Sequence, residues 1–373
     1  MSFCVSFEDE SIGKLAPPYI ESFSFVSSIY KMYSGAKLVI KDMSKTLSNK
    51  LKTGLKVEVS LFEREKDEKC SNNMAVFSFS KSGSGQMVDT IEVTLISAMF
   101  FENTINSLAR SGNVGQIVYD ILSTEFKGSA PNLDISPTDD RARRRYQLSE
   151  KAQDFLKRIV KYGIKDNMPI YLYSAPDGYV HLKGLYEMIS DTPTVALSTV
   201  LSSQETLTTE NGNTLKEKII TGYVLNAFGK NAVSTIDNIF CVDNFSFSSD
   251  LDNHLESDSI EKGNSQVAVE SPKKVRFLNW NYTPDDAKAI AAKEFFDETS
   301  DTFTLDCTLT GFQVKDIFLG SAVYMILPYE PTANSATGNK INLGEGIYLI
   351  TQIKLLYSDK KETMALSLYQ IAS

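Results

Sequence analysis

Few residues in this chain have the types and spacing that catalysis requires. The two histidines, His181 and His254, lie outside any recognisable nucleophile motif. Three acidic pairs could supply a general acid and a general base if each pair met in a cleft. These pairs are Asp139 with Asp140, Asp250 with Asp252, and Asp285 with Asp286. The sequence therefore predicts a protein that is not an enzyme, and a hydrolase that uses a carboxylate pair remains the alternative.

The four cysteines are scattered along the chain, and no two of them have the spacing of metal ligands. They are Cys4, Cys70, Cys241 and Cys307. We expect free structural thiols, because an isolated cysteine usually behaves as a small buried hydrophobe. The sequence predicts neither a metal site nor a cofactor.

One dense basic cluster lies between an acidic pair and a predicted helix. Its members are Arg141, Arg143, Arg144 and Arg145. In the first interpretation the cluster is an exposed strand that leads into the helix and is balanced by Asp139 and Asp140. In the second it contacts an acidic neighbouring subunit, since complementary charge fixes the register of assemblies.

Composition limits the class of protein. The chain has 373 residues, so we expect two to four domains. Its formal net charge is −9, so we expect no tight binding of nucleic acid, because such binding needs clustered cations. An acidic or neutral channel would instead let a duplex slide past. No apolar run approaches 18 residues and no charged, apolar leader opens the chain, so we expect no membrane insertion and no secretion.

Strand-like patterns dominate residues 1–96, and helical periodicity follows them. Apolar residues spaced for one helix face begin after Asn113, which could cap a helix near 113–126. A second helix is predicted at 149–162, with Ser149 as its N-cap. The turn at 175–178 then favours a hairpin over residues 169–183.

The second half of the chain returns to strands after a polar segment. Residues 201–245 are strand-like, and residues 246–266 are rich in Ser, Asp and Asn. A third helix is predicted to begin at Thr283, because proline follows it at the first helical position. From Thr302 onward strands dominate, and the chain closes with a predicted hairpin of 346–357 and 363–371 around a turn at 358–361.

The order of these elements resembles a known protein family. The segments that carry the resemblance are GAKLVIKD, LKTGLKVEVSLF, NVGQIVYDIL, RRYQLSEKAQDFLKRIVKYGI, GYVHLKG, LDCTLTGFQVKDIFLGSAVYMIL and GEGIYLITQIKLLYSDKKETMALSLYQI. In this order they resemble the baseplate hub of contractile phage tails and the N-terminal part of type VI secretion spike proteins. The polar segment and its surroundings, residues 246–275, match nothing in that family.

The resemblance implies an α+β fold that is mostly β, a multi-domain hub with two tube-like β-barrel domains and α+β insertions. We expect four domains with the following bounds. They are a first barrel at 1–96, an α+β domain at 97–200, a second barrel formed by 201–245 plus 300–373, and an inserted polar and helical domain at 246–299.

The resemblance also implies a structural function. We expect a homotrimer whose six barrel domains form a pseudo-hexameric ring joining a sixfold tail tube to a threefold central spike, with DNA passing through the lumen. The expected partners are the spike, the tube protein and other baseplate proteins. Because the sequence ends at Ser373 directly after the last hairpin, the spike is expected to be a separate chain. The expected location is the virion baseplate, assembled in the host cytoplasm, and a bacteriocin or secretion particle is the alternative.

Overall fold

The structure of the protein is a computed structural model. The residues that it describes are 2–42, 47–63, 69–83, 89–102, 105–130, 132–166, 168–190, 192–199, 206–208, 214–227, 238–243, 246–248, 275–278, 303–327 and 346–372. The chain divides into two compact units. Unit 1 consists of Met1–Leu185, Gly311–Leu319 and Gln352–Ala365, and unit 2 of Tyr186–Thr310, Gly320–Thr351 and Leu366–Ser373. The expected division into four domains remains a prediction.

Unit 1 is built mainly from strands. Its strands are β1 (Phe3–Phe7), β2 (Lys14–Leu15), β3 (Ile20–Ser28), β4 (Gly35–Asp42), β5 (Lys56–Leu61), β6 (Cys70–Gly83), β7 (Asp89–Ser97), β8 (Ile105–Gly112), β9 (Leu133–Ile135), β10 (Arg143–Lys151), β11 (Ile164–Lys165), β12 (Met168–Ser174) and β13 (Val180–Gly184). Its helices are α1 (Leu47–Lys50), α2 (Val114–Glu125) and α3 (Ala152–Val160), with short 3₁₀ turns at Pro17–Tyr19 and Ala98–Phe101.

The main sheet of unit 1 is antiparallel, with the strand order β2-β1-β5-β6-β7-β4-β3. Beyond β3 it continues with residues 352–358. Side chains alternate between buried and half-exposed along β7, as a sheet with one face on a core requires. Phe3 stacks on Phe23 at 4.4 Å between ring centroids and meets Tyr357 edge-on at 5.2 Å. These rings tie the first strand of the chain to one of the last.

Helix α2 confirms the first predicted helix and its cap. The Asn113 side chain accepts a hydrogen bond from the Gln116 backbone N–H at 2.9 Å, and the Gln116 side chain accepts one from the Asn113 N–H at 3.2 Å. This reciprocal pair satisfies two N–H groups that the helix leaves open. The apolar face of α2 packs with α3 and the hairpin β12–β13 in one core, which includes Ile121, Phe155 and Leu182.

The predicted start of the second helix is wrong. Residues 149–151 belong to β10, and α3 begins at Ala152 after Lys151, whose side chain makes no capping hydrogen bond. Ser149 instead lies at a bulge with φ +50°, and its hydroxyl is 3.0 Å from the Ser107 hydroxyl across the ribbon. Ser149 does not cap a helix, because residues 149–151 are part of the strand that pairs with the distant β8.

The hairpin β12–β13 confirms the prediction over 169–183, and its turn packs against β6. The Asn72 side chain donates to the Pro176 carbonyl at 3.0 Å. Gly178 has φ +88°, and a Cβ there would lie 2.3 Å from the Ser71 carbonyl oxygen. Only glycine therefore fits at this position without strain.

Unit 2 combines parallel and antiparallel pairing. Its elements are α4 (Leu185–Ser190), β14 (Val195–Ser198), β15 (Thr206–Thr208), β16 (Thr214–Ala227), β17 (Asn238–Asp243), β18 (Ser246–Ser248), β19 (Val275–Leu278), β20 (Phe303–Thr310) and β21 (Ala322–Ile326), together with parts of β22 (Gly346–Ser358) and β23 (Lys361–Ala372). Strand β14 runs parallel to both β16 and β21, whereas β20 pairs antiparallel with β16. A second, three-stranded sheet has the order β18-β17-β19.

The predicted closing hairpin is confirmed. Strands β22 and β23 pair with each other, and Asp359 and Lys360 at the turn have φ values of 53° and 62°. Two successive positive φ values are the signature of a type I′ turn, whose twist matches that of the strands it joins. The helix predicted from Thr283 and most of the polar segment 246–266 lie outside the described residues.

Because Gly178 packs closely against Ser71, we expect that adding a single methyl group at position 178 destabilises the protein. Gly178→Ala should lower the free energy of unfolding by about 1–3 kcal/mol, because alanine resists the positive φ and its Cβ meets a backbone oxygen. Gly128→Ala is the matched control, since nothing lies within 4 Å of a Cβ built there. Urea unfolding of both variants measures the difference, and equal midpoints would show that the turn does not pack on β6 as described.

Candidate interaction surface

The residues considered for acid–base chemistry have structural roles where the structure describes them. Asp139 accepts a hydrogen bond from the Asp166 backbone N–H at 2.7 Å, and Asp140 accepts one from the Val114 N–H at 3.0 Å. The two carboxylates thus hold different segments of backbone. The pairs Asp250 with Asp252 and Asp285 with Asp286 lie outside the described residues, as does His254.

His181 is held between two carboxylates. Its Nδ1 lies 2.9 Å from Asp134 and its Nε2 lies 3.0 Å from Asp177, while the ring stacks on Tyr173. Burial alone lowers the pKa of His181, but the hydrogen bonds and charges of Asp177 and Asp134 outweigh burial and raise that pKa above its usual value. The His181 ring thus links the β12–β13 turn, through Asp177, to β9, through Asp134.

The cysteines that the structure describes do not form a site. Cys4 and Cys307 are buried, and Cys70 is half-buried. Burial, assisted by the charge of Asp306, raises the pKa of the Cys307 thiol to about 12, which keeps it protonated and unreactive. Across the described ranges, no group of three or more His, Cys, Asp or Glu residues could hold a metal ion.

The basic cluster enters a two-stranded ribbon formed by β8 and β10. The strands are antiparallel, and Arg145 lies opposite Arg110 while Tyr146 lies opposite Ala109. Directly opposite residues share one face of a ribbon, and neighbours along a strand point to opposite faces. Arg145 and Gln147 therefore share the inner face, towards α2 and α3, and Arg144, Tyr146 and Leu148 share the outer face.

The inner face of the ribbon is polar and ionic. Arg110 forms an ion pair with Glu125 of α2, and Asn106 donates to the same carboxylate at 3.0 Å. Arg145 lies 3.7 Å from Asp140, with side chains that are only 12% and 4% exposed. Such pairs add little net stability, but removing one partner leaves a buried charge and typically costs about 3–5 kcal/mol.

Helix α3 holds the same ribbon from its other end. Arg158 donates a hydrogen bond to the Tyr146 carbonyl at 2.8 Å and pairs with the Glu150 carboxylate. Gln147, which is fully buried, donates to the Glu150 carbonyl at 3.0 Å. The backbone that carries the outer face is therefore fixed by contacts made on the inner face.

The outer face of the ribbon carries exposed hydrophobes. Ile105, Tyr146 and Leu148 expose 63%, 52% and 73% of their surface. The Arg144 guanidinium lies over the Tyr146 ring at 5.6 Å, which places a cation at the end of this row. The polarity of the ribbon is thus largely inverted, because its ion-paired arginines face the helices and three of its hydrophobes face solvent, although Leu108, opposite Gln147, lies on the inner side. A cluster of exposed hydrophobes of this kind marks an interaction site.

The structure separates the four arginines of the predicted cluster. Arg145 lies on the inner face beside Asp140, Arg144 lies on the outer face, Arg143 is half-buried, and Arg141 is exposed before the strand begins. Sequence reasoning missed the hydrophobes of the outer face. Their signal was the alternation of Arg144, Tyr146 and Leu148 with Arg145 and Gln147, just before the predicted helix at 149–162.

A second exposed feature is the outer edge of β6. Strand β5 pairs with β6 only as far as Ala75, and β6 continues to Gly83 beside β7 alone. Among the described residues, no strand covers the other edge of Phe77–Gly83, and all seven of these residues are exposed. Such an edge offers backbone N–H and C=O groups for pairing with another chain.

The fold matches solved structures along almost the whole chain. A tail protein from Neisseria meningitidis MC58 aligns over 99% of this chain and 97% of its own, with a TM-score of 0.62 and 14% identity. The 43 kDa tail protein of prophage MuSo2 from Shewanella oneidensis aligns over 99% and 96%, with a TM-score of 0.59 and 11% identity. A type VI secretion component from E. coli, described as structurally similar to T4 bacteriophage tail proteins, aligns over 99% and 77%, with a TM-score of 0.54 and 10% identity.

These comparisons define the class of fold. The chain has the fold of phage tail proteins and of a type VI secretion component, so the resemblance inferred from the order of sequence elements is confirmed at the level of fold. No family model matches the sequence, and no curated protein sequence matches it. None of the helices described here is long and apolar enough to cross a membrane.

The environment of His181 predicts a pH dependence of stability. A raised pKa in the folded protein adds stability that is fully present below the ordinary value of 6.5 and is lost as the pH rises through the folded pKa. The free energy of unfolding of the wild type should therefore fall from pH 6 to pH 8 by more than that of His181→Gln. Denaturant unfolding at both pH values measures this difference, and parallel pH profiles would contradict it.

Proposed function

We propose that this chain is a structural baseplate hub subunit of a contractile phage tail. The observation that carries the proposal is the fold, which aligns with two tail proteins, one of them from a prophage, over 99% of the chain and nearly all of theirs. A fold hosts many functions, but here the likeness covers 97% and 96% of the two solved chains and not one widespread domain. The match to a type VI secretion component makes a secretion particle the second candidate.

The proposed assembly is a homotrimer with six tube-like barrel domains, two from each subunit, in a pseudo-hexameric ring. The proposed domains are those predicted from the sequence, at 1–96, 97–200, 201–245 plus 300–373, and 246–299. Such a ring would join a sixfold tail tube to a threefold spike, because a trimer with duplicated barrels presents six similar units on one side and three subunits on the other. The proposed partners are the tube protein, a central spike protein and other baseplate proteins.

The exposed edge of β6 supports ring formation. Seven residues of this strand, Phe77–Gly83, pair on one side alone among the residues described. An edge of this length on a free monomer invites uncontrolled aggregation, and pairing it inside a closed ring removes that hazard. Assembly through main-chain hydrogen bonds would also tolerate the low sequence identity seen between these proteins.

The proposed role is non-enzymatic. Asp139 and Asp140 bind backbone amides, and His181 is held by two carboxylates, so the described residues that could do chemistry support the structure instead. The net charge of −9 suits a lumen through which DNA passes without being gripped. The location that follows is the virion baseplate, with assembly in the host cytoplasm.

Light scattering coupled to size exclusion tests the proposed assembly. The expected mass is three times the 41.5 kDa of one chain, either for the protein alone or after a spike protein is added. A concentration series distinguishes a specific trimer, whose mass reaches a plateau, from aggregation through open edges, whose mass keeps rising. A single-chain mass at every concentration, with spike and tube proteins present, would contradict the proposal.

A further inference from the structure

We propose that the outer face of the β8–β10 ribbon is a subunit contact that docks on an acidic face of a second copy of this chain. The surface consists of Ile105, Tyr146 and Leu148 with Arg144 at its end. This inference rests on the proposed trimer and adds the surface through which one subunit holds the next.

The inverted polarity of the ribbon is the first argument. A two-stranded ribbon that packs on helices usually turns its apolar side chains inward, because that removes them from water. Here Arg110, Arg145 and Gln147 hold inner positions beside Leu108, and the three most exposed hydrophobes, Ile105, Tyr146 and Leu148, face outward. Burial of the outer face against another molecule accounts for this arrangement.

The second argument is that the outer face is already fixed. The Arg158 hydrogen bond to the Tyr146 carbonyl and the ion pair of Arg110 with Glu125 hold the ribbon on α3 and α2. Stacking of Arg144 on the Tyr146 ring limits the rotamers of both side chains. A surface whose side chains are ordered before binding loses less conformational entropy when it binds.

Charge identifies the occupant. Arg144 gives this face an exposed cation, whereas the chain as a whole carries a net charge of −9. A threefold ring brings two different patches together at each contact, so a cationic patch must meet another part of the neighbouring copy. On an acidic chain that part is on average anionic, and complementary charge steers and orients the contact.

Nucleic acid fits this face less well than a protein does. Phosphate binding relies on clustered cations, and here three exposed hydrophobes occupy the centre while the one arginine, Arg144, lies at one end. A face with a hydrophobic centre and a charged rim is the usual anatomy of a protein–protein contact. Tyrosine and arginine are also the residue types most often found to dominate such contacts.

The test compares the association of matched variants. Tyr146→Ser and Leu148→Ser, alone and together, should weaken association. The dissociation constant of the trimer, measured by sedimentation equilibrium, should rise at least tenfold. Tyr119→Ser on α2 is the control, because Tyr119 is exposed by the same 52% as Tyr146 but lies off the ribbon. Unchanged thermal unfolding of the ribbon variants under conditions that keep all proteins monomeric would exclude misfolding, since the substituted side chains face solvent.

A charge variant tests the acidic occupant separately. Arg144→Glu should weaken association more than Arg144→Gln, and the gap should narrow as salt is added, because screening removes repulsion between like charges. If Arg144→Glu and wild type associate with equal affinity, the proposal that this face docks on an acidic surface is wrong. Trimers of normal affinity in all ribbon variants would overturn the subunit contact.

The outcomes separate this inference from the proposed function. If wild type never forms a trimer, with or without spike and tube proteins, the proposed function fails and the ribbon proposal fails with it. If wild type and ribbon variants form equally stable trimers, only the ribbon proposal fails. If the variants form trimers but no longer bind a spike protein, a tube protein or anionic vesicles, then the occupant is that partner and not a second copy, which also overturns the proposal.

Discussion

Unpaired strand edges are the constraint on which the rest of this structure depends. A strand satisfies half of its backbone hydrogen-bonding groups on each side, so every strand needs two neighbours, a cover or a partner chain. Unit 1 meets this demand by pairing strands that are far apart in sequence, such as β3 with residues 352–358. The edge of β6 at Phe77–Gly83 lacks a second strand among the described residues, and the proposed ring of subunits would supply it.

Charge placement complements this backbone constraint. In unit 1, the ion pair of Arg110 with Glu125 fixes the ribbon on α2. Another placement of the ribbon would leave a buried charge without its partner, which is strongly unfavourable. The ribbon can then present hydrophobes to solvent without losing its position. Stability and recognition are thus assigned to opposite faces of one element, and the two faces can be altered independently.

The sequence predicted most elements whose signals are local. Asn113 and the spacing of the apolar residues after it identified α2, and the turn at 358–361 identified the last hairpin. The start of α3 was wrong because Ser149 looked like a cap, and only pairing with β8 keeps residues 149–151 extended. The outer face of the ribbon was missed for the same reason. Which side of Arg143–Lys151 faces the helices depends on a strand more than thirty residues earlier, and neither the composition nor the periodicity of one segment records that pairing.

The central claim is that three copies of this chain present six similar barrel domains around one axis. Electron microscopy of the purified assembly, viewed along that axis, tests it most directly. The account predicts averaged images of a closed ring with threefold symmetry and six similar density lobes around a central opening. Rings with another number of subunits, or particles without rotational symmetry, would contradict it.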